Sequence, residues 1–203
     1  MNTPAIPDFL KKVNVAPMDS WEGLPLKSAA VLVLFVKRHQ TWHLLLTRRS
    51  PHLNHHRGQI GFPGGLREKE DASPEATALR EYEEELGVSR DRVCILGCLK
   101  GEQNIDHLHV VPVVAFASDP GLFRPSTHEV AEVWEVDIEG LANFSVFRFN
   151  SFGQWRSSDL FRTHSVCIWG LSARILRSAG FPELLKPSCE TQSLPSEKIS
   201  RSF

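Results

Sequence analysis

Carboxylates crowd one short segment, Arg80-Glu81-Tyr82-Glu83-Glu84-Glu85-Leu86-Gly87-Val88, and that crowding constrains the fold more than any other feature of the chain. At roughly 100° per residue, Glu81, Glu84 and Glu85 share one flank of a helix, while Leu79, Tyr82 and Leu86 fall on the other and are expected to face a core. Acids on one flank repel each other and weaken the helix unless a cation offsets them. A hard dication such as Mg²⁺ would do so, whereas a solvated charged face needs none; the segment alone allows both readings. Ser73-Pro74 supplies an N-cap and a first helical residue, and Gly87 a stop, so the predicted helix runs from about Pro74 to Leu86.

Upstream lies Phe62-Pro63-Gly64-Gly65. Consecutive glycines let the backbone approach another group closely and expose carbonyl oxygens, which suit a hard metal beside carboxylates. By itself the pair reads equally well as a turn. Loop and acidic helix together read as a pocket for metal-bound phosphates.

These residues resemble the Nudix hydrolase family, whose box runs Gly, five residues, Glu, seven residues, then Arg-Glu-apolar-any-Glu-Glu-any-Gly-apolar. Arg80 to Val88 matches the second half position for position. In the first half Asp71 replaces the first Glu at the expected interval from Gly65, and the stretch from Asp71 to Arg80 is one residue longer. Leu45-Leu46-Thr47-Arg48-Arg49-Ser50, Gly58 and Phe62-Pro63-Gly64-Gly65 are further similar to the signature of the coenzyme A diphosphatase branch, which shares the longer box. That signature expects an Arg where this chain has Asn54. Asn cannot make the forked cationic contact to phosphate, so Arg57, His55 or His56 would have to compensate.

The resemblance implies metal-dependent hydrolysis of a diphosphate bond in a nucleoside diphosphate derivative, with coenzyme A or an acyl-CoA as leading substrate. Mg²⁺ or Mn²⁺ would be held by Glu81, Glu84, Glu85 and the Gly65 carbonyl, with Arg80 orienting the acids. Glu81 is the first candidate for general base; Glu129 and Glu132, after the loop Ser126-Thr127-His128, are the distant alternatives. Arg49, Arg57 and Gly64 are the expected substrate contacts. Rival readings are a Nudix pyrophosphatase acting on NADH, ADP-ribose or nucleoside triphosphates, and a non-catalytic Nudix ligand-sensing module.

Composition narrows the partners. A net charge of −1 gives no global field for nucleic acid, so a small nucleotide substrate is the expected partner, and a homodimer is compatible with the pattern. The apolar run Val31 to Val36 is far short of the roughly 20 residues that cross a bilayer, so no membrane partner is expected. Cys94, Cys98, Cys167 and Cys189 form no dense framework and the N-terminus carries no export signal, which points to the cytoplasm.

The 203 residues suit one domain, expected over 28–186, after a lead segment over 1–27 and before a polar, disordered tail over 187–203. Strands are predicted at Ala29–Val36 and Trp42–Leu46, paired through a turn at His39-Gln40, then at Val93–Leu99, Val110–Ala117 and Val130–Val136. A hairpin is predicted from Phe144–Phe149 and Gln154–Phe161, and a final helix near Val166–Ala179. The resemblance implies the fold class: an α/β/α sandwich around a mixed sheet.

Overall fold

The computed structural model describes residues 5–18, 20–25, 27–53, 57–151 and 153–185. The expected tail over 187–203, with Asn54, His55 and His56, lies outside the described residues. In chain order the strands are β1 (Ser28–Arg38), β2 (Thr41–Arg49), β3 (Ile60–Gly61) and β4 (Gly64–Leu66), followed by helix α1 (Pro74–Leu86). Then come β5 (Cys94–Cys98), β6 (Glu102–Gln103), β7 (His109–Ala117), β8 (Val130–Asp137), β9 (Phe144–Ser151), β10 (Gln154–Arg162), β11 (Cys167–Trp169) and helix α2 (Gly170–Ser178).

The longest apolar runs take the centre of the sheet. β1 and β7 pair in parallel from Ser28↔His109 to Val36↔Ala117, while β2, β4, β5, β6 and β8 join antiparallel, giving the mixed sheet. A strand covered on both faces is apolar at successive positions rather than alternate ones. Ala30, Leu32, Leu34 and Val36 of β1 pack with Ala78, Tyr82 and Leu86 of α1 on one face. Val33 and Phe35 pack with Ala173, Ile175 and Leu176 of α2 on the other, which completes the sandwich. A second, antiparallel sheet, β9–β10–β11, joins this latter core through Phe144, Phe161 and Ile168. The lead segment packs onto the same body: Leu10 and Val13 enter the α2-side core, Trp21 the α1-side core, and Ala16 bridges Cys98.

The structure corrects two expectations. Leu79 does not belong to the buried stripe of α1; Ala78 takes that place, spaced i, i+4, i+8 with Tyr82 and Leu86, and Leu79, about 100° round from Ala78, sits half-buried at its rim. The last helix begins at Gly170, because residues 167–169 extend to pair with β10. Among the described residues no helix is long and apolar enough to cross a membrane.

Candidate functional site

Helix α1 is fixed at both ends by local chemistry. The Ser73 Oγ accepts the Ala76 amide at 3.2 Å, Pro74 occupies the first turn, and Gly87 closes the helix at φ 62°, its amide donating to the Glu83 carbonyl. Two carbonyls of the last turn, which a helix leaves unpaired, accept from a loop instead: the Ser126 amide donates to Glu85 O at 2.9 Å and the Arg124 amide to Leu86 O at 2.8 Å. The same loop ends at Glu129, whose carbonyl accepts the Ser50 amide at 2.8 Å where β2 leaves the sheet. Helix end, loop and strand end are thereby tied together, and Glu81, Glu85, Glu129, Arg49 and Gly64 meet at the junction.

The glycines set how tightly β4 closes on the helix. Ala30 pairs with Gly65 and Val31 with Gly64. Gly64 sits at φ +150°, and a Cβ there would lie 2.3 Å from the Ala30 carbonyl oxygen. A Cβ on Gly65 would lie 2.2 Å from Glu81 Oε1, so the missing side chain is the space in which the Glu81 carboxylate rests.

Burial and mutual repulsion shape the electrostatics. Glu85 is 4% exposed; burial first, then the neighbouring Glu81 charge, push its carboxyl up to about 8, against the weaker pull of Arg49 and the Gly64 amide. Its Oε1 lies 3.9 Å from Arg49 Nη1, while its Oε2 is buried with no hydrogen-bond partner among the described residues. Glu81 is also raised, again by burial first, with Arg80 pulling the other way and the Glu84 and Glu129 charges adding to the rise. The exposed Glu129 carboxylate is therefore felt by both Glu81 and Glu85.

Arg80 is the cation of the acidic flank. Its Nη1 donates to Glu84 Oε2 at 2.8 Å and lies 3.0 Å from Glu81 Oε1; its Nη2 donates to the Leu66 carbonyl at 3.0 Å and to Asp71 Oδ2 at 3.1 Å. Asp71 is buried, and burial alone would raise its carboxyl, but hydrogen bonds from Arg80, the Glu68 amide and Thr77 hold it below its ordinary value. The Glu81 and Glu84 carboxylates thus surround a guanidinium. Among the described residues no three acidic, histidine or cysteine groups converge as a ready-made metal cage. The donors nevertheless fit a hard dication: they are oxygens only, one carboxylate oxygen of Glu85 is buried and unpartnered, and Gly65 leaves the Glu81 carboxylate room against the strand.

Of the residues singled out in the sequence, Glu81, Glu85, Glu129, Arg49, Gly64 and Gly65 come together, and Glu84 joins them through Arg80. Glu132 does not: it pairs with Arg48 at 3.2 Å, across a register shift that separates Arg48 from Arg49. Arg57 is exposed and donates to the Leu53 carbonyl, and no contact with the acidic cluster is found among the described residues. Asp71 and Thr77 belong to the site although sequence reasoning gave neither a role. Their signals were a threonine on the inner side of α1, three residues before Arg80, and an acid where the box has its first Glu.

Residues 25–150 match the model of the NUDIX domain. A protein of Escherichia coli, the uncharacterized Nudix hydrolase NudL, is 34% identical over 186 residues, covering 89% of this chain and 95% of that protein. The same degree of likeness holds for the uncharacterized Nudix hydrolase NudL of Shigella boydii, again 34% over 186 residues. In fold, the chain is similar to a MutT/nudix family protein from Enterococcus faecalis, with a TM-score of 0.51 and 18% identity over 78% of this chain and 62% of that one.

Proposed function

The chain belongs to the NUDIX family and is a Nudix hydrolase, and from that premise we propose that it cleaves the diphosphate bond of coenzyme A or an acyl-CoA, releasing a phosphopantetheine product and adenosine 3′,5′-bisphosphate. The observation that carries the catalytic part is the junction of Glu81, Glu85 and Glu129 against Gly64-Gly65, with Arg49 beside it. The substrate part rests on the signature Leu45-Leu46-Thr47-Arg48-Arg49-Ser50 with Phe62-Pro63-Gly64-Gly65.

Glu81, Glu84, Glu85 and the Gly65 carbonyl would hold Mg²⁺ or Mn²⁺. When bound, such an ion supplies neutralisation of the phosphate oxygens and acidification of a water. The chain's own groups do the rest. Arg49, whose Nε has no hydrogen-bond partner among the described residues, would orient a phosphate with its guanidinium, and Gly64, packed against Ala30 and Val31, is the further substrate contact that the resemblance implies. Glu81, raised by burial yet next to Arg80, is placed to take a proton from the attacking water; exposed Glu129 can approach the same point from the loop. Arg80 fixes the acids rather than the substrate. With a small nucleotide as partner, neither nucleic acid nor membrane enters the reading; the cytoplasm is the proposed compartment, and a homodimer is compatible with it.

Asn54, where the branch expects Arg, favours a second reading in which NADH, ADP-ribose or a nucleoside triphosphate is the substrate. A panel of coenzyme A, acetyl-CoA, NADH, ADP-ribose and nucleoside triphosphates, with Mn²⁺ and products identified by mass, separates them. Release of adenosine 3′,5′-bisphosphate with the highest kcat/KM on coenzyme A or acetyl-CoA is expected. Preference for NADH or ADP-ribose overturns the substrate, and tight nucleotide binding without turnover on any of them would indicate a sensor.

A further inference from the structure

The guanidinium of Arg80 lies against two of the carboxylates that would hold a dication, Glu81 and Glu84. Its Nη1 contacts Glu84 Oε2 at 2.8 Å and Glu81 Oε1 at 3.0 Å. Two cations would compete for these carboxylates, so metal affinity depends on how firmly Arg80 is held from its other side. That side is Asp71, whose Oδ1 accepts from Arg80 Nε at 3.2 Å and whose Oδ2 accepts from Nη2 at 3.1 Å.

Asp71 is itself clamped. Its Oδ2 also accepts the Glu68 amide at 2.9 Å and the Thr77 hydroxyl at 2.8 Å. Thr77 is fully buried, and a buried hydroxyl within a helix is unfavourable unless it has a partner. Its alternative acceptor, the Ser73 carbonyl, is at 3.5 Å, so the proton goes to Asp71. The acid is one methylene shorter than the Glu of the box, and one extra residue separates it from Arg80. A short, buried carboxylate reaching across that longer segment needs an additional donor to set its direction, and Thr77, one helical turn before Arg80, is in place to give it.

On the reading that Glu81, Glu84 and Glu85 hold a divalent ion, we propose that Thr77 is a positioning residue: through Asp71 it anchors Arg80, and so decides how readily Glu81 and Glu84 exchange the guanidinium for the metal. Without the hydroxyl, Asp71 loses one of its three neutralising contacts and turns from Arg80, whose charge then settles more firmly on the two glutamates. Metal binding weakens, although no metal-binding or charged group has been changed.

The test is Mn²⁺ binding to the full chain, measured by the electron-spin-resonance signal of free Mn²⁺, alongside thermal melts in chelator. T77V should bind Mn²⁺ about tenfold more weakly than the wild type, in the range expected when a group behind a ligand is removed. T77S lacks the methyl group but keeps the hydroxyl; it should melt lower than the wild type yet bind Mn²⁺ within about twofold of it, a separation that a merely structural role would not produce. D71N, the second variant should T77V not fold, should weaken binding at least as much as T77V. Wild-type affinity or tighter binding in T77V, or T77S weakened in proportion to its melting temperature, overturns the proposal. Failure of the wild type itself to bind Mn²⁺ overturns instead the metal reading on which it rests.

Discussion

Replacing Glu85 by Gln tests the electrostatics of the site without touching its shape. Burial and Glu81 raise the Glu85 carboxyl from 4.5 to about 8, so the folded protein binds this proton more tightly than the unfolded chain does. The sign follows: the favourable contribution is complete below about 4.5 and is lost as the pH rises through about 8. At about 1.4 kcal/mol per unit, the fold loses roughly 3 kcal/mol between pH 4.5 and 7, and about 4 kcal/mol by pH 8. Against a typical total of about 5–15 kcal/mol that loss is large.

Gln keeps an oxygen for the Gly64 amide but puts an NH₂ where Glu85 Oε2 has no partner, a pH-independent cost of about 1–3 kcal/mol. In chelator, E85Q should therefore be the less stable protein at pH 4 and the more stable one at pH 8. The Glu81 charge that opposes ionisation of Glu85 meets no second charge in E85Q, which moves the difference in the same direction. Urea unfolding at half-unit intervals from pH 4 to 8.5 reads the crossover directly. Parallel stability curves for the two proteins would refute the assignment of the raised carboxyl to Glu85.

Two further perturbations separate packing from chemistry. Ala78→Asp places a charge in the fully buried stripe against β1 and should cost more than about 3 kcal/mol or prevent folding, whereas Leu79→Asp, at the half-buried rim, should cost under about 1.5 kcal/mol in the same urea assay. Equal losses would contradict the observed face of α1. Gly65→Ala puts a methyl group where Glu81 Oε1 now lies, and since the end of a flexible side chain yields more easily than the sheet, the melting point should move by only a few degrees. Turnover should fall about tenfold or more as the Glu81 carboxylate is displaced, and wild-type turnover would sink the role of that cradle.

The legible parts of the fold and site follow from short-range rules. Ser73-Pro74 and Gly87 set the ends of α1 to the residue, and the apolar runs of β1 and β7 were legible as strands, while their cover on both faces came only from the resemblance. The two-residue turn at His39-Gln40 was likewise visible in the gap between two strand patterns. β3, β4, β6 and β11 were not visible, because two or three residues carry no period, and their pairing is decided by where the longer strands lie. β4 shows what this hides: Gly64-Gly65 could be read as permissive backbone, but only its registration on Ala30 and Val31 puts it against Glu81.

The departure at Asp71 is the most instructive case. Compared position by position, a shorter acid followed by an extra residue reads as weakening of the box. In three dimensions Asp71 is held by the turn that precedes it, in which the Asp71 amide donates to the Glu68 carbonyl and the Glu68 amide returns to Asp71 Oδ2, and Thr77, within the longer segment that follows, donates to the same oxygen. The shorter side chain lies beneath Arg80 with both oxygens engaged, Oδ1 accepting from Nε at 3.2 Å and Oδ2 from Nη2 at 3.1 Å, so a longer acid on the same backbone would have to push the guanidinium outward. Sequence reasoning weighs such changes one at a time, whereas the Arg80 guanidinium responds to their sum. A Glu restored at position 71 alone, with the extra residue kept, should therefore displace Arg80 and weaken Mn²⁺ binding, despite making the box more regular.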